Sequence, residues 1–217
     1  MNYAIGLSLI LAISILSGCK ATAELEVSVL DLFYSKTRMI PADFYTEVAG
    51  CNDTAAPDQS LAQRRNAVET VITDAEYLGC NEDGNRAIAH FRIPIALDKD
   101  QDGKLASDEH INLISTDDAF LTLTIPEALR DRLQTSTGVG LRARSVPIDV
   151  KIRINNDHGN ALPIQVFSVY VDDRPFIFGD TWIPKVGGIT LRLSDLTIDN
   201  AIETGSSVLL MRNTDPD

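Results

Sequence analysis

A period-two alternation is the feature that most constrains this chain. Ile148, Val150, Ile152 and Ile154 are separated by Asp149, Lys151 and Arg153. Successive side chains of a strand point to opposite faces, so this stretch has one face for a core and one for water. The cluster Asn155-Asn156-Asp157-His158-Gly159-Asn160 follows as a turn, and Leu162 to Val171 reads as the second arm of a hairpin. Further strand signals lie at 24–29, 87–97, 120–125, 176–178, 189–193 and 208–211. Between Ser60 and Leu78 the period changes. Leu61, Val68, Val71, Ile72, Ala75 and Leu78 share a face, Ser60 and Gln63 make a capping box, and Gly79 supplies a stop. Pro126 favours the first turn of a short helix reaching Leu133. Residues 31–50 show neither period. The expected fold is α+β and mainly β: an antiparallel β-sandwich or open barrel, with one long and one or two short helices on a face or an end.

Tyr3 to Leu16 is a run of fourteen apolar or small residues, short of the roughly 20 that span a bilayer as a helix. It reads as the core of a signal peptide. The next four residues, Leu16-Ser17-Gly18-Cys19, resemble at every position the lipobox of bacterial lipoproteins: Leu, a small residue, Gly or Ala, then Cys. The resemblance implies that residues 1–18 are removed and that Cys19 begins the mature chain, with a diacylglycerol on its sulfur and an acyl group on its amine. A signal cleaved without lipidation, or an uncleaved anchor, is the alternative. At about 0.8 kcal/mol per buried methylene, two or three acyl chains give attachment that is effectively permanent. In enteric members of the family an Asp after the Cys tends to retain the protein at the inner membrane. Lys20 stands there instead, so the resemblance implies the periplasmic face of the outer membrane. Residues 19–23 are then the lipidated Cys and a short tether, and 24–217 a single β-rich domain. A five-residue tether reaches at most about 17 Å, which holds the domain close to the membrane.

The chain carries 31 acidic and 19 basic residues, a formal charge of −12. Residues 1–18 contribute none of them. Nucleic acid and anionic lipid surfaces would both repel such a chain, so membrane contact is expected through the lipid alone. With Cys19 lipidated, Cys51 and Cys80 remain. Two leftover cysteines in an exported protein are most simply a disulfide, the alternative being two buried thiols.

One motif carries chemistry. Asp98-Lys99-Asp100-Gln101-Asp102-Gly103-Lys104-Leu105-Ala106-Ser107-Asp108-Glu109 fits the pattern D-x-[DN]-x-[DN]-G-x5-E. A hard cation takes six to eight oxygens at about 2.3 to 2.6 Å, and alternate residues of a tight loop converge on one centre. Its resemblance to the EF-hand loop implies side-chain oxygens from Asp98, Asp100 and Asp102, the backbone carbonyl of Lys104, and a bidentate Glu109 around calcium. Pro94 argues against an entering helix, while 108–114 could form an exiting one. A solvated acidic turn is the alternative.

His90, His110 and His158 lack the spacing of a zinc site, and no nucleophile elbow, phosphate loop or dinucleotide fingerprint occurs. The chain therefore reads as a non-enzymatic binding or structural protein of the envelope, in contact with the membrane and with an envelope protein partner. An envelope hydrolase with paired carboxylates, or a carrier of lipid or a small apolar ligand, is the alternative.

Overall fold

Alternation becomes strand nearly everywhere the sequence shows it. A computed structural model describes residues 20–34, 36–52, 60–84, 86–99, 105–135 and 148–213. Among these, β1 (Ala21–Ser28), α1 (Val29–Tyr34) and β2 (Arg38–Val48) come first, followed by α2 (Leu61–Val71), β3 (Glu76–Asp83) and β4 (Arg86–Lys99). Then come β5 (Ile111–Ser115), β6 (Leu121–Thr124), α3 (Glu127–Thr135) and β7 (Ile148–Asn155). The chain closes with β8 (Leu162–Val171), β9 (Arg174–Ile183), β10 (Gly188–Leu193), α4 (Asp195–Thr204) and β11 (Ser206–Arg212). The fold is α+β, mainly β, and barrel-shaped, as the sequence leads one to expect.

Nine strands form a closed ring in the order β10-β7-β1-β2-β4-β5-β6-β11-β8, with β8 returning to β10. β3 hangs on β4 and β9 on β8, outside the ring. Two ladders are parallel, β1 with β7 and β4 with β5, where an all-antiparallel sheet was expected. Alternation fixes which face a side chain takes but says nothing about strand direction. The other seven ladders of the ring are antiparallel. An odd number of reversals cannot close a ring of straight strands, so one strand must change its sense along the barrel axis. That strand is β8: residues 164–166 pair with β11 and residues 169–171 with β10. Between the two halves lies Ser168, at φ +50°.

Three local expectations need correction. The segments 148–155 and 162–171 do not form a hairpin, because β10 stands between them, with Leu191 opposite both Ile152 and Val171. The hairpin joins β8 to β9 through Asp172-Asp173, whose positive φ values of 46° and 64° suit a two-residue turn. The long helix ends at Val71, and Leu78 and Gly79 belong to β3. A reversal at Asp74, φ +58°, lets 76–83 pair with β4 instead. Finally, Ala21 to Ala23 are not tether but the start of β1, in register with Thr46, Tyr45 and Phe44 of β2.

Inward residues pack a single core in which Phe91, Leu97, Leu113, Leu121, Ile152, Ile154 and Leu191 are fully buried, each stabilising the fold by about 1.5 to 3 kcal/mol relative to exposure. The two ends of the barrel are closed differently. α1 lies at one, where β1 and β7 finish, and its Phe33 ring packs 5.4 Å from Phe120. α2, α3 and α4 lie at the other, where β2, β6 and β10 finish and where β1 begins beside Lys20.

Candidate functional site

Three helices are held at that second end by named contacts. The Ser60 hydroxyl accepts from the Gln63 N–H at 3.2 Å and starts α2. The Pro126 carbonyl accepts from the Leu129 and Arg130 N–H groups and starts α3. Arg132 of α3 donates through Nε to the Val71 carbonyl, 2.9 Å, at the last turn of α2, where a cation suits the helix dipole. Arg130 donates likewise to the Glu203 carbonyl of α4 at 3.3 Å. At the start of α4, Ser194 accepts from the Thr197 N–H at 3.2 Å, and both hydroxyls donate to the Ser168 carbonyl, at 2.8 and 2.5 Å. The carbonyl that β8 turns out of its ladder is thus satisfied by the helix cap.

Beneath these helices the barrel does not fill. A cavity of about 120 Å³ is lined by Val68, Val71 and Ile72 below α2, Leu129 and Leu133 of α3, and Ile198 and Ile202 of α4. Its wall comes from Ala23 and Leu25, Ala42 and Phe44, Ile93 and Ile95, Ile111 and Leu113, Leu123 and Ile125, and Ile148, Val150 and Ile152. Every lining residue is apolar, so the space offers no hydrogen-bond partner to water and no group for acid–base work. An engineered cavity of about 150 Å³ with a similar lining stays dry and takes up benzene. The chemistry available here is the binding of an apolar group.

A second depression, about 320 Å³, lies beside the first strand at the same end and is mixed in character. Lys20, Asp149, Tyr170, Arg192, Ser194 and Asp195 border it. The Arg192 guanidinium sits 4.2 Å over the Tyr170 ring and pairs with Asp173 at 3.7 Å. On the outer wall the Glu24 carboxylate accepts from Lys151, 2.9 Å away, and raises its pKa. Burial, then Asp43 and Glu24, raises that of Tyr45.

The residues singled out by sequence fall elsewhere. Cys19 lies outside the described residues. Cys51 and Cys80 are joined in a disulfide, with Cα atoms 5.5 Å apart, tying the end of β2 to β3. Of the acidic loop, Asp98 is the penultimate residue of β4 and accepts from the Thr37 hydroxyl at 2.8 Å. Glu109 is exposed, its carbonyl accepting from Arg132 at 3.0 Å. Asp100, Asp102 and Lys104 lie outside the described residues, and among those described no three His, Cys, Asp or Glu side chains form a metal-binding group. The loop leads into β5 and not a helix, because buried Asn112 holds its exit by accepting from the Ser107 N–H and donating to the Ser107 and His110 carbonyls. His90 faces Asp43 at 2.7 Å and stacks on Tyr45. His110 bonds Ser107, and His158 packs on Phe33.

Sequence reasoning passed over α4, which closes the cavity. Its signal was present: Ser194 as cap, Ile198, Ala201 and Ile202 at helical spacing, and Gly205 at φ +95° ending the helix. No curated protein and no solved structure is similar enough to the chain to count as a match. A family described only as a domain of unknown function, DUF7424, matches residues 21–215, from the first residue of β1 to beyond β11, and the chain belongs to that family.

Proposed function

We propose that this chain is an envelope lipoprotein, anchored through Cys19, that works by non-enzymatic binding and takes an apolar group into the barrel. The cavity beneath α2, α3 and α4, with its wholly apolar lining, is the observation that carries the reading. Its size suits a small ring or the last few carbons of an acyl chain. The Cys51–Cys80 disulfide agrees with an oxidising compartment, and the charge of −12 directs recognition away from polyanions. Lys20, the residue after the anchor, lies at the cavity's own end of the barrel. The acidic loop 98–109 is proposed as a structural calcium site.

The reading is tested with the full mature chain by methyl NMR and thermal melting in the presence of benzene and short-chain fatty acids. Shifts confined to methyls of residues such as Ile93, Leu129, Val150 and Ile198, with a stabilisation of about 2.7 kcal/mol at a hundredfold excess over Kd, are expected. Ala42→Leu, which fills the cavity from β2, should keep the fold and abolish both. Uptake of no apolar ligand would reduce the cavity to a packing gap.

A further inference from the structure

Because β8 reverses at Ser168, the β8–β9 hairpin arches over the helical end of the barrel. Ile177 stands opposite Ser168, since Phe176 pairs with Val169 and Phe178 with Phe167. The Ser168 carbonyl is bonded to the start of α4, and Ser194 and Tyr170 border the depression that also holds Lys20. Three large apolar side chains are left facing water around this point: Ile177 at 88% exposed, Phe178 at 62% and Leu196, in the first turn of α4, at 71%. Phe178 is braced from behind by the Phe167 ring at 5.3 Å. Stable monomers seldom leave such groups clustered without use.

What meets this rim follows from where the chain leaves the domain. Only Lys20 separates β1 from residue 19, and the segment preceding it is the apolar run from Tyr3 to Leu16. Whatever that run or its lipid enters is therefore joined through at most residues 17–20, about 14 Å of extended chain, to the end that carries Ile177, Phe178 and Leu196. The charged groups beside them are of both signs: Lys20, Arg174 and Arg192 against Asp172, Asp173 and Asp195. The rim itself is thus balanced in charge, so its contact is apolar in character and suits a zwitterionic lipid surface better than an anionic one, which the net charge of −12 would oppose.

We infer that the rim formed by Ile177, Phe178 and Leu196 is a membrane-contacting surface, which inserts into the outer part of a lipid bilayer and orients the barrel with its helical, cavity-bearing end towards the membrane. This rests on the anchoring reading above and adds a protein contact to the lipid anchor. It also makes the bilayer the source nearest to the cavity for an acyl chain.

The chain's single tryptophan, Trp182, pairs with Pro163 towards the α1 end, so it is a reporter of the far side, 51% exposed. The test reconstitutes the full mature chain in phosphatidylcholine vesicles whose acyl chains are brominated. Flotation is measured first, then tryptophan quenching for the wild type, for Trp182→Phe with Phe178→Trp, and for Trp182→Phe with Leu196→Trp. Both rim reporters should be quenched several-fold more than Trp182, with little change between low and high salt. Flotation with equal quenching at all three positions overturns the rim and spares the anchor. Failure of the wild type to float overturns the anchor and the rim with it. Two rim reporters on different elements guard against one variant misfolding.

Discussion

At the scale of the residue, Gly188 marks the tightest approach in the wall. A Cβ built there would lie 2.0 Å from the Ile154 carbonyl oxygen and 2.9 Å from its carbon. These are backbone atoms held in the β7–β10 ladder, where Gly188 pairs with Asn155. They cannot swing aside as a flexible side chain would. Gly188→Ala should therefore cost about 1 to 3 kcal/mol or more, read as a fall in the urea midpoint at constant slope. A change of only a few tenths would mean that the ladder relaxes. Asp157 is a second case. Its carboxylate accepts from the Leu30 N–H at 2.9 Å, joining the turn after β7 to α1. Partial burial pushes its pKa up, but that N–H and the Ser28 hydroxyl outweigh it and the pKa falls. A lowered pKa gives stability that is complete above the unfolded value near 3.9 and is lost as the pH drops through the folded one. Asp157→Asn should flatten the decline of melting temperature between about pH 5 and 2 relative to the wild type, by a modest amount because the group is exposed. Parallel curves would remove its role. Neither residue stands out in the sequence. Gly187-Gly188 reads as a turn, and it is the approach of β7, distant in sequence, that gives Gly188 its necessity.

Among the elements, α4 does three things with ten residues. It caps the barrel, contributes Ile198 and Ile202 to the cavity, and satisfies the carbonyl that β8 exposes on reversing. Ser194→Ala removes a cap worth about 0.5 to 2 kcal/mol, while the Thr197 hydroxyl still serves the Ser168 carbonyl. Adding Thr197→Val orphans that carbonyl. The double variant should lose more than the sum of the two single variants, with faster amide exchange in 166–171 and none of the excess in β4. Strict additivity would mean that the seam does not depend on these hydroxyls. The β4–β5 connection carries the calcium prediction. Its first position, Asp98, is fixed to Thr37, and its twelfth, Glu109, is fixed by Arg132. Calcium should raise the melting temperature, chelation should lower it, and Asp98→Ala or Glu109→Ala should abolish the difference. Melting that ignores calcium would leave an acidic turn. Strands were legible because alternation survives in 86–99, 148–155 and 188–193. α4 was passed over although Ser194, Asp195 and Gly205 mark its ends, because its ten residues lie between two short strand signals and carry only three buried apolar side chains, Ile198, Ala201 and Ile202. The neighbours of β7 were hidden because pairing across the ring leaves no trace in local order.

The molecule as a whole has two unlike ends. The α1 end is sealed by aromatic packing of Phe33 with Phe120, under the Arg212 guanidinium 4.5 Å from the Phe33 ring. The other end carries the apolar space, the chain's first strand residue and the hairpin arch. A β-rich barrel with helices at its ends was legible in period and turn residues, but its closure was not. Closure depends on one left-handed residue in β8 that no pattern announces. The disulfide bears on this asymmetry. Cys51 and Cys80 are 29 positions apart, and the loop they close contains α2, whose Val68 and Val71 roof the cavity. Cross-linking such a loop removes about 3 to 4 kcal/mol of unfolded-chain entropy in the polymer treatment. The double substitution Cys51→Ala, Cys80→Ala should lower stability by about that amount. The loss should concentrate at the cavity end, because the disulfide is the covalent tie that closes the loop carrying α2 onto β3, leaving noncovalent contacts such as Arg132 on the Val71 carbonyl and Arg65 over the Tyr77 ring. Amides of 61–71 should exchange faster at low denaturant, while those of β7 and β10 change only with global unfolding. Apolar ligands should bind more weakly, since binding would have to order the roof as well as fill the space. Uniform acceleration of exchange across all strands would show instead that the disulfide acts on the barrel as one unit, and that α2 is not a separately openable roof.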